Sequence, residues 1–96
     1  MALLSEEERR RAGEELRDWQ VEAAALEREF VFEDFVAAMG FVNRVAELAE
    51  QHGHHPDIEI RYNRVRIRTW SHDSGGVTER DVRLAQAVDA GAKLRG

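Results

Sequence analysis

The longest regular pattern of apolar and polar positions in the chain is EDFVAAMGFVNRVAELAEQHG, residues 33–53, where Phe35, Met39, Val42, Ala46 and Ala49 recur at helical spacing. Gly53 is a natural terminator for that helix. Val36, Phe41, Val45 and Leu48 lie beside or around from the stripe, so the helix is apolar over more than one face. That surplus predicts either one broad core face or a second packing surface buried against a partner subunit.

The flanking segments carry shorter patterns. Ser5 and Glu8 have the spacing of a capping box, and acids precede arginines along SEEERRRAGEEL, which predicts a first helix over about residues 5–16. Trp19, Val21 and Ala23 alternate, as do Leu26, Arg28, Phe30 and Phe32, and the connection falls at about residues 23–25, so a hairpin is expected. Pro56 cannot continue a helix and pushes His55 towards extended backbone, which makes residues 54–56 a rigid helix-to-strand corner. Ile58, Ile60 and Tyr62 alternate, Asn63-Arg64 is read as a two-residue turn, and Val65, Ile67 and Thr69 alternate after it. Past the loop HDSGG, Thr78 and Asp81 form a cap for a last helix containing Val82, Leu84, Ala85 and Val88. The expected fold is α+β, a four-stranded antiparallel sheet with three helices packed on one face, in the order α-β-β-α-β-β-α.

Length and charge narrow the function classes. A chain of 96 residues buries roughly 60–65% of its unfolded surface and supports one domain, residues 1–96. Any active site must sit on that scaffold or between copies of it. The net charge of −5, with Lys93 the only lysine, disfavours a general nucleic-acid surface. The absence of cysteine removes disulfides, thiolate metal clusters and thiol nucleophiles. Met1 is followed by the acidic run SEEE, and no apolar run approaches membrane-spanning length, so a cytoplasmic protein is expected.

The candidate chemistry is histidine. Three of the four histidines fall within residues 52–55, and His72 ends the last strand. HGHH invites a metal reading. Yet no helical His-Glu-x-x-His spacing accompanies it, and adjacent histidines at a proline corner point to different sides, so no metal is expected. In a hairpin turning at residues 63–64, residues near 56 pair with residues near 71, which returns His72 to the His54-His55 corner. Two imidazoles at one cleft suit proton traffic, since an unperturbed histidine titrates near pH 6.5. Glu50, Asp57 and Asp73 flank the histidines and are read either as groups that orient an imidazole or as solvated charges. His52 alone reads as surface. Trp19 and Trp70 are expected to be partly buried, with Trp19 also a candidate to line a ligand pocket.

Glu50, then His54-His55-Pro56, Tyr62, His72 and Asp81, at these intervals, resemble the signature of the pterin-4a-carbinolamine dehydratases. DFVAAMGFVNRVAELAE resembles that family's central helix, YNRVRI its hairpin and HDSGGVTERDVRLA its loop and last helix, while Trp19 with LEREFVFEDF is similar to its N-terminal strands. The resemblance covers about residues 16–88. Gly53, Asp57, Ile58 and Ser71 depart from residues common in the family.

The resemblance implies a hydro-lyase that converts 4a-hydroxytetrahydropterin to quinonoid dihydropterin, recycling the cofactor of aromatic amino-acid hydroxylases. It implies His54 and His72 as acid–base residues, His55 as a pterin-binding and assisting residue, Glu50, Asp81 and Pro56 as support, and Trp19 as a pocket residue. No cofactor is implied beyond the pterin, which is the substrate. The partners implied are the pterin, further copies of the chain in a homodimer or homotetramer, and a hydroxylase in the same pathway, with neither nucleic acid nor membrane. The alternative is a pterin-binding or protein-dimerisation coactivator module without turnover.

Overall fold

A computed structural model describes residues 2–95, with side chains described through residue 92. Met1, on which the reading of the amino terminus partly rested, lies outside the described residues. The elements are α1 (Glu6–Glu15), β1 (Gln20–Val21), β2 (Leu26–Val31), α2 (Phe35–His52), β3 (Asp57–Arg61), β4 (Arg64–Thr69) and α3 (Glu79–Arg95). All strand pairs are antiparallel in the order β1-β2-β4-β3, and the three helices lie on one face, as the α+β reading expected.

Each helix begins where local chemistry starts it. Ser5 and Glu8 form the reciprocal capping box of α1, with the Ser5 N–H donating to Glu8 Oε1 at 2.8 Å and the Glu8 N–H to Ser5 Oγ at 3.1 Å. Asp34 caps α2 by accepting from the Ala37 N–H at 2.8 Å. The end of α2 is equally specific. Gly53 is left-handed (φ 59°), its N–H donates to Glu50 O, and the His54 N–H reaches back to Ala49 O at 3.0 Å. This is the paired bonding of a Schellman terminus, and Pro56 follows two residues later to prevent resumption.

The sheet separates apolar from charged by parity. Val65, Ile67 and Thr69 on β4, with Leu26 and Phe30 on β2, are buried beneath the helices. The opposite face carries Glu27, Glu29, Glu59 and three arginines of β4, joined by ion pairs such as Arg64–Glu29 at 3.0 Å and Arg66–Glu59 at 3.5 Å. Such exposed pairs add little stability but keep that face wet.

Two expectations need correction. The stripe of α2 that faces the core is Ala38, Phe41, Val45, Leu48 and Ala49, whereas Phe35 is 48% exposed, Ala46 is exposed and Met39 and Val42 are only partly covered. Two apolar stripes at the same period cannot be ranked by period alone. Packing decides, because Phe41 fits between Phe30 and Phe32, with ring centroids 4.6 and 5.0 Å away.

The second correction is the β3–β4 turn. Arg61 pairs with Arg64, which leaves Tyr62 and Asn63 as the turn residues, and Tyr62 takes the left-handed φ of 51°. Asn63 decides it. Its Nδ2 donates to Phe32 O at 2.9 Å and its carbonyl accepts from the Phe32 N–H at 2.8 Å, so the turn is anchored to the end of β2 despite the strain on Tyr62. The register is thereby two residues off the expected one, Asp57 pairing with Arg68, while the inward set of Ile58, Val65 and Ile67 is unchanged.

Because Phe41 is the largest fully buried side chain and sits in an aromatic cluster, Phe41→Ala should cost about 3–5 kcal/mol of folding stability. Urea denaturation checks this, and a loss below about 1 kcal/mol would mean that α2 packs by another face.

Candidate active site

The buried carboxylate of Asp81 organises this end of the molecule. Asp81 has no solvent exposure, and both of its oxygens are fully used. Oδ1 accepts from His54 Nε2 at 2.5 Å and from Thr69 Oγ1 at 2.6 Å, while Oδ2 accepts from Ser71 Oγ at 2.8 Å and from the Thr78 N–H at 2.9 Å. The Thr78 bond is half of the expected cap of α3, and the other half is the Arg80 N–H donating to Thr78 Oγ1 at 3.3 Å. Donor and acceptor directions then follow without ambiguity. Ser71 gives its proton to Asp81, so Ser71 Oγ must accept from the Thr78 hydroxyl, 2.7 Å away.

His54 is brought to Asp81 by the Schellman terminus of α2 and is itself only 8% exposed. A carboxylate accepts hydrogen bonds and cannot donate them, so the proton on this imidazole is at Nε2 and Nδ1 is the free nitrogen of the neutral ring. The carboxylate fixes the ring's tautomer and orientation. Such an imidazole is a positioned proton acceptor.

His72 arrives by a different route. β4 ends at Thr69, and the chain runs on through Trp70 to Ser71, so that the residues on either side of Trp70 both donate to Asp81. His72, the next residue, is exposed, and its ring lies 3.8 Å from that of Trp70. The loop after it folds over the Ser71 carbonyl, which accepts from the N–H groups of Ser74, Gly75 and Gly76 at 3.0, 2.9 and 3.3 Å. Gly76 has no room for a side chain, since a Cβ there would sit 2.6 Å from Ala23 O.

The remaining candidates distribute as follows. His55 is exposed and its Nε2 meets Glu50 Oε2 at 2.5 Å, a pair one turn apart across the end of α2. Pro56 is partly buried at the corner, and His52 is exposed in the last turn of α2. Asp57 is exposed at the start of β3, and Asp73 accepts from Arg80 Nη2 at 2.6 Å. Trp19 lies apart from this group. Its indole N–H donates to both oxygens of Asp89, at 2.9 and 3.0 Å, and its ring packs edge-on to Phe30. Asp89 is eight residues beyond Asp81 on α3, roughly 12 Å along the helix. Among the described residues, no three histidine, aspartate or glutamate side chains converge in a way that would hold a metal ion.

The chain is similar to known proteins over most of its length. The family model for pterin 4 alpha carbinolamine dehydratase covers residues 2–91. The chain belongs to the pterin-4-alpha-carbinolamine dehydratase family. It is 60% identical over 72 residues to a protein of Acidobacterium capsulatum assigned to that family, covering 75% of this chain and 78% of the relative. A Gloeobacter violaceus protein with the same assignment is 50% identical over 92 residues, 92% of this chain and all of the relative.

Two solved structures of dehydratase-like proteins share the fold. The transcriptional coactivator/pterin dehydratase from Brucella melitensis superposes with a TM-score of 0.87 at 38% identity, over 93% of this chain and 97% of that one. A pterin dehydratase-like protein identified as a RuBisCO assembly factor in the alpha-carboxysome gives 0.64 at 27% identity, over 77% and 86%. Dehydratase relatives thus include proteins named for roles other than catalysis.

Thr69, Ser71 and Thr78 entered the sequence reading only as a strand position, a departure and a cap, although they complete the environment of Asp81. The signal that reveals them is parity. Thr69 and Ser71 continue the inward positions of Val65 and Ile67, and a polar residue at a buried position demands a partner. Asp81→Asn keeps the shape but must aim an amide N–H2 where donors already point, so it should destabilise the fold by about 1–3 kcal/mol. Chemical denaturation measures this; a change within about 0.5 kcal/mol would mean that water can replace the carboxylate.

Proposed function

We propose that this protein dehydrates 4a-hydroxytetrahydropterin to quinonoid dihydropterin by histidine acid–base catalysis. The observation that carries the proposal is His54 held by the buried Asp81, with His72 next in the chain to Ser71, a second donor to the same carboxylate. Membership of the family supplies the substrate class.

The reaction asks for two proton transfers and nothing else from the protein. The N5 lone pair forms the N5=C4a double bond as the C4a–O bond breaks, a proton is delivered to the departing oxygen to make water, and the N5 hydrogen is given up. One water is lost overall. His54, with Nδ1 free and Asp81 behind it, takes the N5 proton, and the exposed His72 delivers the other. His55, paired with Glu50 on the adjacent surface, contacts the pterin. The pterin is the substrate, and the scheme calls for no metal or resident cofactor.

Stopped-flow ultraviolet absorbance of freshly generated 4a-hydroxytetrahydropterin, at a pH where spontaneous loss of water is slow, tests the assignment. The expected result is acceleration that saturates with substrate and is indifferent to chelator. His72→Ala should lower turnover by about 10²–10⁴-fold with an unchanged circular dichroism spectrum, and His54→Ala by a similar factor. Unchanged turnover in both variants would eliminate the mechanism.

We also infer self-association through the outer face of α2, where Val36 is 78% exposed and Phe35 close to half exposed. Light scattering at micromolar concentration should give a dimer or tetramer mass, and a monomer mass would refute it.

A further inference from the structure

Asp81 and the residue before it point in different directions to different ends. Asp81 reaches inward to His54. Arg80 reaches across the surface to Asp73, the residue after His72, and its Nη2 donates to Asp73 Oδ1 at 2.6 Å. The loop between Ser71 and Gly76 is tied down unevenly. Its second half is fixed by backbone bonds to the Ser71 carbonyl and by the Val77 N–H donating to Ala23 O at 3.0 Å. At its exposed first half, the Arg80–Asp73 pair joins the loop to the helix.

We propose that Arg80 is a positioning residue for the reaction, acting through Asp73 to hold the His72 loop at a fixed offset from His54. Adjacent residues of the first turn of α3 then serve as one origin for both imidazoles. The proposal rests on the dehydratase reading of the site.

Arg80 is arranged for this purpose at a cost to itself. Its Nε is buried without a protein partner, and among the described residues no other buried side-chain nitrogen or oxygen is so left. Its backbone N–H is also bound, to Thr78 Oγ1, so the base of the side chain is seated in the cap that contains Asp81. A free surface arginine would turn to hydrate Nε. Here the guanidinium stays directed at the loop. The hydrogen bond from Arg80 also holds the Asp73 carboxyl below its ordinary range, so the pair is fully charged at neutral pH and is lost only as acid protonates Asp73.

Ordinary exposed ion pairs contribute little to stability, and none is asked of this one. Its effect is on geometry. Misplacement of a catalytic group by about an ångström costs on the order of 10²-fold in rate, so a loosened but still folded loop should cost a part of that.

The test uses the full chain and three variants, Asp73→Asn, Arg80→Gln and the charge exchange Asp73→Arg with Arg80→Asp. Turnover is measured alongside thermal unfolding and hydrogen exchange at the Ser74, Gly75 and Gly76 amides. Each single variant should lower kcat about tenfold, change KM less than twofold, leave the unfolding midpoint within a few degrees and speed exchange at the three amides. The exchanged pair should recover most of kcat and of the protection. Retention of kcat within twofold in both single variants overturns the proposal, as does a loss that tracks the unfolding midpoint and is not recovered by the exchange. If the unmodified protein does not dehydrate the pterin, the dehydratase reading fails, and the amide exchange alone then decides whether Arg80 orders the loop.

Discussion

A carboxylate without solvent is the constraint on which this site depends. Burying the charge of Asp81 is tolerated because four donors occupy its oxygens, and each comes from a different stretch of chain. Thr69 belongs to β4, Ser71 to the segment beyond it, Thr78 to the start of α3 and His54 to the corner after α2. Holding all four at hydrogen-bond distance from one group fixes the relative placement of three elements that packing alone would leave free to slide. Apolar residues of equal volume could give comparable stability at such a position. What the charge adds is placement of the imidazole, since only one arrangement satisfies every donor at once.

That placement is assembled from devices that are local in sequence. The left-handed Gly53 ends α2 with two backbone bonds and delivers His54, and Pro56 commits the chain to β3. At the other side, Asp81 is both the third residue of a helix cap and the acceptor for His54. Because one side chain starts α3 and orients the ring, the start of that helix and the geometry of the site cannot vary independently. The aromatic core beneath, Phe41 against Phe30 and Phe32, holds α2 to the sheet and so holds its end where Asp81 can reach.

The parts of this arrangement that were legible in the sequence are those decided within a few residues. Ser5 with Glu8, Thr78 with Asp81, Gly53 and Pro56 announce element ends by chemistry that needs no distant partner. The choice of core stripe on α2 was not legible, because Phe41 prevails over Phe35 and Val42 only when Phe30 and Phe32 are already in place. The turn at Tyr62 and Asn63 was hidden for the same reason, its anchor being Phe32, 31 residues from Asn63 in the chain. Among the site candidates, the motif drew attention to His54 and Asp81 separately, and their bond follows from where α3 docks. Trp19 was expected to be partly buried and was a candidate to line a ligand pocket. It is buried, and its indole N–H donates to Asp89.

His54 and His72 are the same residue type in opposite environments, and the dehydration we propose makes use of both. In that proposal the buried ring, held by Asp81, meets the reacting nitrogen without reorganising at the moment of transfer. The exposed ring lies at a tilt against Trp70, and its exposure suits it to exchange protons with solvent. After each turnover one imidazole must lose the proton it gained and the other must regain the one it gave. A pair of equally buried rings would satisfy the first requirement and stall on the second, while two exposed rings would exchange freely and lack a fixed geometry. The fold sets one histidine inside the hydrogen-bond network of Asp81 and the other one residue beyond it, an arrangement suited to both requirements of the proposed reaction.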